Sequence, residues 1–165
     1  MFYARKAGLQ PTVTENKRLT PTVMPNLVLP HFKANSKKQL LTDLSHHAAK
    51  LWPQLSSVVI TTKILERERD SSTGFGNGFA LPHTRSNVIV EPLSIFARLD
   101  QALDYDSVDH QPVDLIYFLL SPADNNAVHL RSLSLIARFF KDNHRCEKLR
   151  GAKDEDAIYA IFGEE

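Results

Sequence analysis

Six consecutive apolar residues, Leu115-Ile116-Tyr117-Phe118-Leu119-Leu120, constrain this chain more than any other stretch. Side chains of a strand point alternately to opposite faces, so a strand apolar at every position needs cover on both. The run therefore reads as the central strand of a sheet that carries helices on each side. A second strand alternates, with Leu93, Ile95, Ala97 and Leu99 on one face and Ser94, Phe96 and Arg98 on the other. A brief third, Phe79-Ala80-Leu81, is expected to stop at Pro82, which cannot donate to the next ladder position.

Helical signals fill the rest. Ser36 with Gln39 makes a capping-box pattern ahead of Leu40, Leu44, Ala48 and Leu51. Trp52-Pro53 closes that helix and starts another, in which Leu55, Val58, Val59, Thr62 and Leu65 form the expected apolar stripe. A turn from Ser121 to Asn126 opens a long helix, capped by Asp124 or Asn125, with His129, Leu133, Ile136, Ala137 and Phe140 along one face. Short helices follow over 144–150, ending at Gly151, and over 154–162, with Ala157, Ile158 and Ile161 inward. The fold class expected is α/β: a single domain with a mixed β-sheet flanked by α-helices on both faces.

The domain is expected over residues 26–165, with 1–25 a loosely ordered N-terminal extension. Residues 1–23 carry Arg5, Lys6, Lys17 and Arg18 against Glu15, without period. They read equally as a basic interaction arm or as residues upstream of a start at Met24. A net charge of +1 gives no electrostatic case for nucleic acid as a partner. No stretch approaches the ~18 to 20 apolar residues of a membrane span, so no membrane insertion is expected. The lone Cys146 has no internal disulfide partner and reads as a partly buried helix residue, compatible with a cytoplasmic protein.

The chemistry points to Glu66 through Arg85, where a charged helix end gives way to glycines at 74, 76 and 78 and then to Pro82-His83. Alternating glycines let successive backbone N–H groups turn inward, one way to build an anion cradle. It is not a P-loop, because Gly78 is followed by Phe79-Ala80-Leu81 rather than Lys-Ser/Thr. It is not a dinucleotide fingerprint either, because G-x-G-x-G here leads from a helix into a strand. The simpler alternative is a tight connection whose glycines serve only turn geometry. Arg67 and Arg69 have a structural role open to them as cations at a helix C-terminus. His129, near the start of its helix, is biased neutral by the dipole, and the same helix end would welcome a phosphate oxygen. His46-His47 cannot chelate one metal from adjacent helical positions, and the aspartates at 100, 104, 106 and 109 read as a hydrated loop.

In order, Arg67-Glu68, Ser72-Thr73-Gly74, Gly76-Asn77-Gly78, Ala80, Pro82-His83, then Gln111-Pro112-Val113-Asp114-Leu115 and His129-Leu130 with Leu133 and Ile136-Ala137, the chain resembles a known family. These are the enzyme IIA domains of the fructose/mannitol/nitrogen-regulatory type of the bacterial phosphoenolpyruvate phosphotransferase system. The likeness covers roughly 30–162 and is greatest to the nitrogen-regulatory branch, which shares the Ser121-Pro122-Ala123-Asp124 turn. It implies that His83 is phosphorylated at Nε2 by an HPr-type phosphocarrier protein, with Arg67 and His129 lining the site. Ser72, Thr73, Gly74, Gly76, Asn77 and Gly78 are then the expected phosphate-binding residues. No metal or organic cofactor follows. Phe75 and Phe79 stand where smaller aliphatics are usual and Thr84 where Gly or Ala is usual, which would alter the rim of the site.

Two outcomes lie within that resemblance: a regulator whose phosphorylation state selects target proteins, favoured because no IIB or IIC sequence is fused, or a sugar-specific domain passing phosphate to a IIB partner. Outside it stand a small hydrolase or metal-binding domain built on His83, His129 and an aspartate of the 100–109 loop, and an interaction module with an incidental histidine.

Overall fold

The computed structural model describes residues 22–164. The expectation of a loosely ordered extension lies, for residues 1–21, outside them. Within the described part, folded contacts reach back to Val23, whose carbonyl accepts from the Tyr117 hydroxyl at 2.9 Å.

Strand β1 (Leu27–Phe32) leads into helices α1 (Lys37–Leu51) and α2 (Ser57–Asp70). Strands β2 (Gly74–Gly76), β3 (Phe79–Ala80), β4 (His83–Ser86), β5 (Leu93–Leu103) and β6 (Val113–Pro122) follow, then helices α3 (Asn126–Phe140), α4 (Asn143–Gly151) and α5 (Glu155–Phe162). The sheet runs β1-β5-β6-β3-β2, and β4 also pairs with β6. β6 is the central strand, antiparallel to β5 and parallel to β3 and β4.

The two faces of β6 fill two separate cores. Ile116, Phe118 and Leu120 meet Leu40, Leu41 and Leu44 of α1 and Ile60 and Ile64 of α2. Leu115, Tyr117 and Leu119 meet Ile136, Phe139 and Phe140 of α3, Leu149 of α4 and Ile158 of α5. An uninterrupted apolar run is what a strand covered on both sides requires. Arg98 stands on β5 near the second core, where its guanidinium donates to the carbonyls of Leu149 at 2.9 Å and Ala152 at 2.6 Å, satisfying acceptors at the end of α4.

The capping signals act as read. Ser36 Oγ accepts from the Gln39 N–H, while the Gln39 side chain reaches the N–H of Asn35, one residue beyond the usual box. Asn125, not Asp124, caps α3. The stripe of α2 is rotated from the expected one: Ile60, Ile64 and Glu68 are buried, whereas Val58 and Val59 are exposed. Ser56 is the cap, so the helix starts later than Trp52-Pro53 suggests, and a buried carboxylate occupies a position that a search for apolar spacing passes over.

β3 ends at Ala80, ahead of Pro82, as expected, and a separate strand, β4, begins at His83. The pairings Phe79 with Leu115 and His83 with Leu119 share one offset, 36 residues in each case, so β3 and β4 continue along β6 in a single register. The proline removes one donor, its carbonyl still accepts from Leu119 N–H, and His83 begins a strand rather than sitting in a loop. No helix among the described residues is long and apolar enough to cross a membrane.

Candidate functional site

Three elements converge at the C-terminal end of α2. The cleft there, about 430 Å³, is lined by Lys63, Glu66, Arg67 and Asp70 of α2, His83, Thr84 and Arg85 of β4, and His129 of α3. His83 and His129 come from opposite sides, their ring centroids 5.6 Å apart and tilted by 48°.

His83 is 8% exposed, less open to solvent than a loop residue would be. Its Nδ1 lies 2.8 Å from the carbonyl oxygen of Leu81. A carbonyl can only accept, so Nδ1 carries the proton and Nε2 keeps its lone pair. Burial lowers the pKa below the usual 6.5; the Leu81 carbonyl and Glu68 oppose the change, and Arg67 reinforces it. His129 is pushed down to about 4 by burial, then by His83, Arg85 and Arg67. Its backbone N–H bonds to Asn125 of the α3 cap, and its Nδ1 is buried without a hydrogen-bond partner in the protein. Both rings are neutral near pH 7.

Arg67 Nη1 donates to the Ser71 carbonyl at 3.0 Å, closing the helix end, and the side chain lines the cleft. Arg85 donates to Asn126 Oδ1 and to the Ala123 carbonyl, with Nε buried and unpartnered. Lys63 Nζ donates to the Arg85 carbonyl at 3.1 Å. Lys63, Glu66, Asp70 and Arg85 were missed as lining residues. The available signal was the i, i+4 spacing of 63 with 67 and of 66 with 70, which puts each pair on one helical face.

The structure does not bring the glycine segment to this cleft. Gly76, Asn77 and Gly78 form the tight turn of the β2–β3 hairpin, with φ of 58° at Asn77 and 77° at Gly78, the primed turn that an Asn-Gly pair favours. Their neighbours are different residues: Asn77 N–H donates to Asp109, and Arg150 donates to the Asn77 carbonyl while gripping Asp114 through Nε and Nη2. A Cβ on Gly78 would strike the Arg150 guanidinium and come within 2.8 Å of Asp114 Oδ1; one on Gly74 would meet Ser107 at 2.9 Å. The glycines thus admit neighbours. Ser72 Oγ accepts from Gly74 N–H and lies 3.3 Å from the Tyr105 carbonyl, and Thr73 is bound to Glu68. The cradle of N–H groups expected over 72–78 is therefore corrected: the Thr73, Gly74 and Asn77 donors are already satisfied within the fold, and none of these residues lines the cleft.

Phe79 is not at a rim. It is 2% exposed and stacks on Phe140 with centroids 3.9 Å apart; Phe75 stays exposed against its edge, and Thr84 lines the cleft. Of the four aspartates, Asp100 lies within β5 with its Oδ1 3.1 Å from His31 Nδ1, while Asp104 accepts from Asp106 N–H and Asp109 from Gln111 N–H in turns. Among the described residues no group of three or more His, Cys, Asp or Glu side chains is arranged to hold a metal ion. Cys146 is buried, its Sγ 3.3 Å from the Phe140 carbonyl.

A mixed sheet with helices on both faces, bearing paired neutral histidines among cations, defines a class. The model of the family described as phosphoenolpyruvate-dependent sugar phosphotransferase system, EIIA 2, matches residues 22–165, and the chain belongs to that family. Its relatives within that family include nitrogen regulatory proteins. That of Bradyrhizobium diazoefficiens is 41% identical over 144 residues, spanning 87% of this chain and 94% of the relative. That of Escherichia coli K12 is 39% identical over 128 residues, spanning 77% and 78%. The crystal structure of nitrogen regulatory protein IIA-Ntr from Neisseria meningitidis superposes with a TM-score of 0.77 at 28% identity, covering 89% of this chain and 98% of that one. The chain is thus a IIA domain with a phosphocarrier regulatory function.

Proposed function

We propose that His83 is the phosphoacceptor of this domain, that an HPr-type phosphocarrier in the cytoplasm supplies the phosphoryl group, and that the phosphorylation state selects protein partners. The observation that carries this is the Nδ1 to Leu81 hydrogen bond, 2.8 Å long, which reserves the Nε2 lone pair for attack. Nε2 forms a bond to phosphorus as the P–N bond to the donor's imidazole breaks, the electron pair returning to that ring. Exchange between two histidines needs no general base, so catalysis reduces to alignment and to holding charge on the equatorial oxygens. Arg67, Lys63 and Arg85 supply cations around the cleft, and a guanidinium fork suits phosphoryl oxygens. The Leu81 carbonyl steadies the positive charge that grows on the His83 ring.

A switch follows from the same lining. Three cations and two carboxylates, Glu66 and Asp70, leave a sum of about one positive charge when both histidines are neutral. A phosphoryl group adds up to about two negative charges and inverts the sign. A partner that recognises one state is repelled by the other. The nitrogen-regulatory names of the relatives support this reading over a sugar-specific domain that hands phosphate to a IIB partner.

Incubation with phosphoenolpyruvate, enzyme I and an HPr-type carrier tests the proposal. Acid-labile phosphate is expected on the wild type and none on His83→Ala. Absence of label on the wild type, or equal label on the variant, overturns it.

A further inference from the structure

Glu68 is 8% exposed and continues the inward stripe of α2 after Ile60 and Ile64, where an apolar side chain would avoid the cost of desolvating a charge. Its carboxylate is saturated with donors. Lys37 Nζ lies 2.9 Å from Oε1, the Thr73 N–H donates to Oε1 at 3.1 Å, the Tyr105 hydroxyl donates to Oε2 at 3.2 Å, and the Thr73 hydroxyl donates to Oε2 as well. Thr73 and Tyr105 are fully buried.

The bonds continue towards the cleft. The carbonyl of Thr73 accepts from the Leu81 N–H at 3.0 Å, and the carbonyl of Leu81 accepts from His83 Nδ1 at 2.8 Å. Pro82 contributes no N–H, so Thr73 is the anchor that holds Leu81 from the hairpin side. The turn that Glu68 pins also carries the Ser71 carbonyl to which Arg67 is tied. One buried carboxylate therefore sets the position of the acceptor for the nucleophile's ring and of the facing guanidinium.

We infer that Glu68 is a positioning residue for His83: through Thr73 and Leu81 it holds the carbonyl that keeps the proton on Nδ1 and the lone pair on Nε2. This rests on the reading of His83 as phosphoacceptor. An imidazole free in water favours the opposite tautomer, with the proton on Nε2, so the nucleophilic form depends on an acceptor fixed in place. Lys37 on α1 and Tyr105 in the β5–β6 connection hold the carboxylate from two further elements, which links packing remote from the cleft to its chemistry.

Glu68→Leu and Glu68→Gln test this with two readouts. Long-range ¹H–¹⁵N NMR reports the His83 tautomer with no phosphate present, and initial rates at varied carrier concentration separate kcat from KM. Wild type is expected to show one tautomer, protonated at Nδ1. Glu68→Leu is expected to show a second tautomer and a kcat lower by roughly tenfold, with KM for the carrier within about twofold, as for a misplaced rather than a missing group. Glu68→Gln keeps a carbonyl for Thr73 N–H but cannot accept from both hydroxyls, so a smaller change in the same direction is expected. An unchanged tautomer in Glu68→Leu overturns the inference, whether or not the rate falls. If Glu68→Leu does not fold, an unchanged tautomer in Glu68→Gln overturns it. Failure of His83 to accept phosphate would remove the phosphoacceptor reading alone, since the tautomer readout stands without it.

Discussion

The rings of His83 and His129 face each other at 5.6 Å, and each lowers its own chance of carrying a proton by being shielded from water. Both folded pKa values lie below the unfolded value of 6.5, that of His129 at about 4. Between those limits the unfolded chain binds more protons than the folded one, so stability is full above about 6.5 and falls as the pH drops towards 4. Urea midpoints measured from pH 7.5 to 4.5 are expected to decline, and less steeply in a His129→Gln variant.

Removing the second imidazole is expected to slow chemistry while sparing the acceptor. Loss of one preorganised group at a site of developing charge typically costs about a hundredfold. His129→Ala should therefore take up phosphate from the carrier roughly a hundred times more slowly in single turnover. The same endpoint label should form on His83, mapped by mass spectrometry at high pH.

Two glycines make a matched pair. Gly78 sits at φ 77° beneath Arg150 and Asp114, whereas a Cβ on Gly151 would meet nothing within 4 Å. Gly78→Ala is expected to destabilise by about 2 kcal/mol or more, from the left-handed backbone and the collision together. Gly151→Ala, at the end of α4, should be neutral or stabilising by up to about 1 kcal/mol. Urea denaturation of both variants measures the contrast.

The hairpin's grip can be measured in the same way. Arg150 and Asp114 have side chains 27% and 26% exposed, between a surface pair and a buried one. Arg150→Ala is expected to cost about 1 to 2 kcal/mol, less at high salt, and to leave phosphate uptake at His83 within about twofold.

Phe79 and Phe75 separate packing from surface. Phe79→Ala should lose about 3 to 4 kcal/mol because it empties a stack on Phe140, and Phe75→Ala, at 47% exposure, less than about 1 kcal/mol. Similar losses in the two variants would contradict the placement of Phe79 in the core.

Local signals in the chain were sufficient for much of this. The apolar run 115–120 announces a strand covered twice, Ser36 and the Asp124-Asn125 pair announce helix starts, and the succession from Arg67 to His83 and on to His129 announces the family. Each depends on neighbours in sequence, through alternation, capping or motif order, and such information survives without coordinates. Other features depend on which segments meet. That Glu68 is buried follows from Lys37 and Tyr105 arriving from distant elements, and that the glycines admit side chains rather than phosphate follows from Arg150, Asp114 and Ser107 packing on them. The stop of β3 before Pro82 is also local, since the proline has no N–H to donate. What only the tertiary structure decides is that β4 resumes the register along β6 beyond it and sets His83 opposite Leu119, with Nδ1 already committed to Leu81.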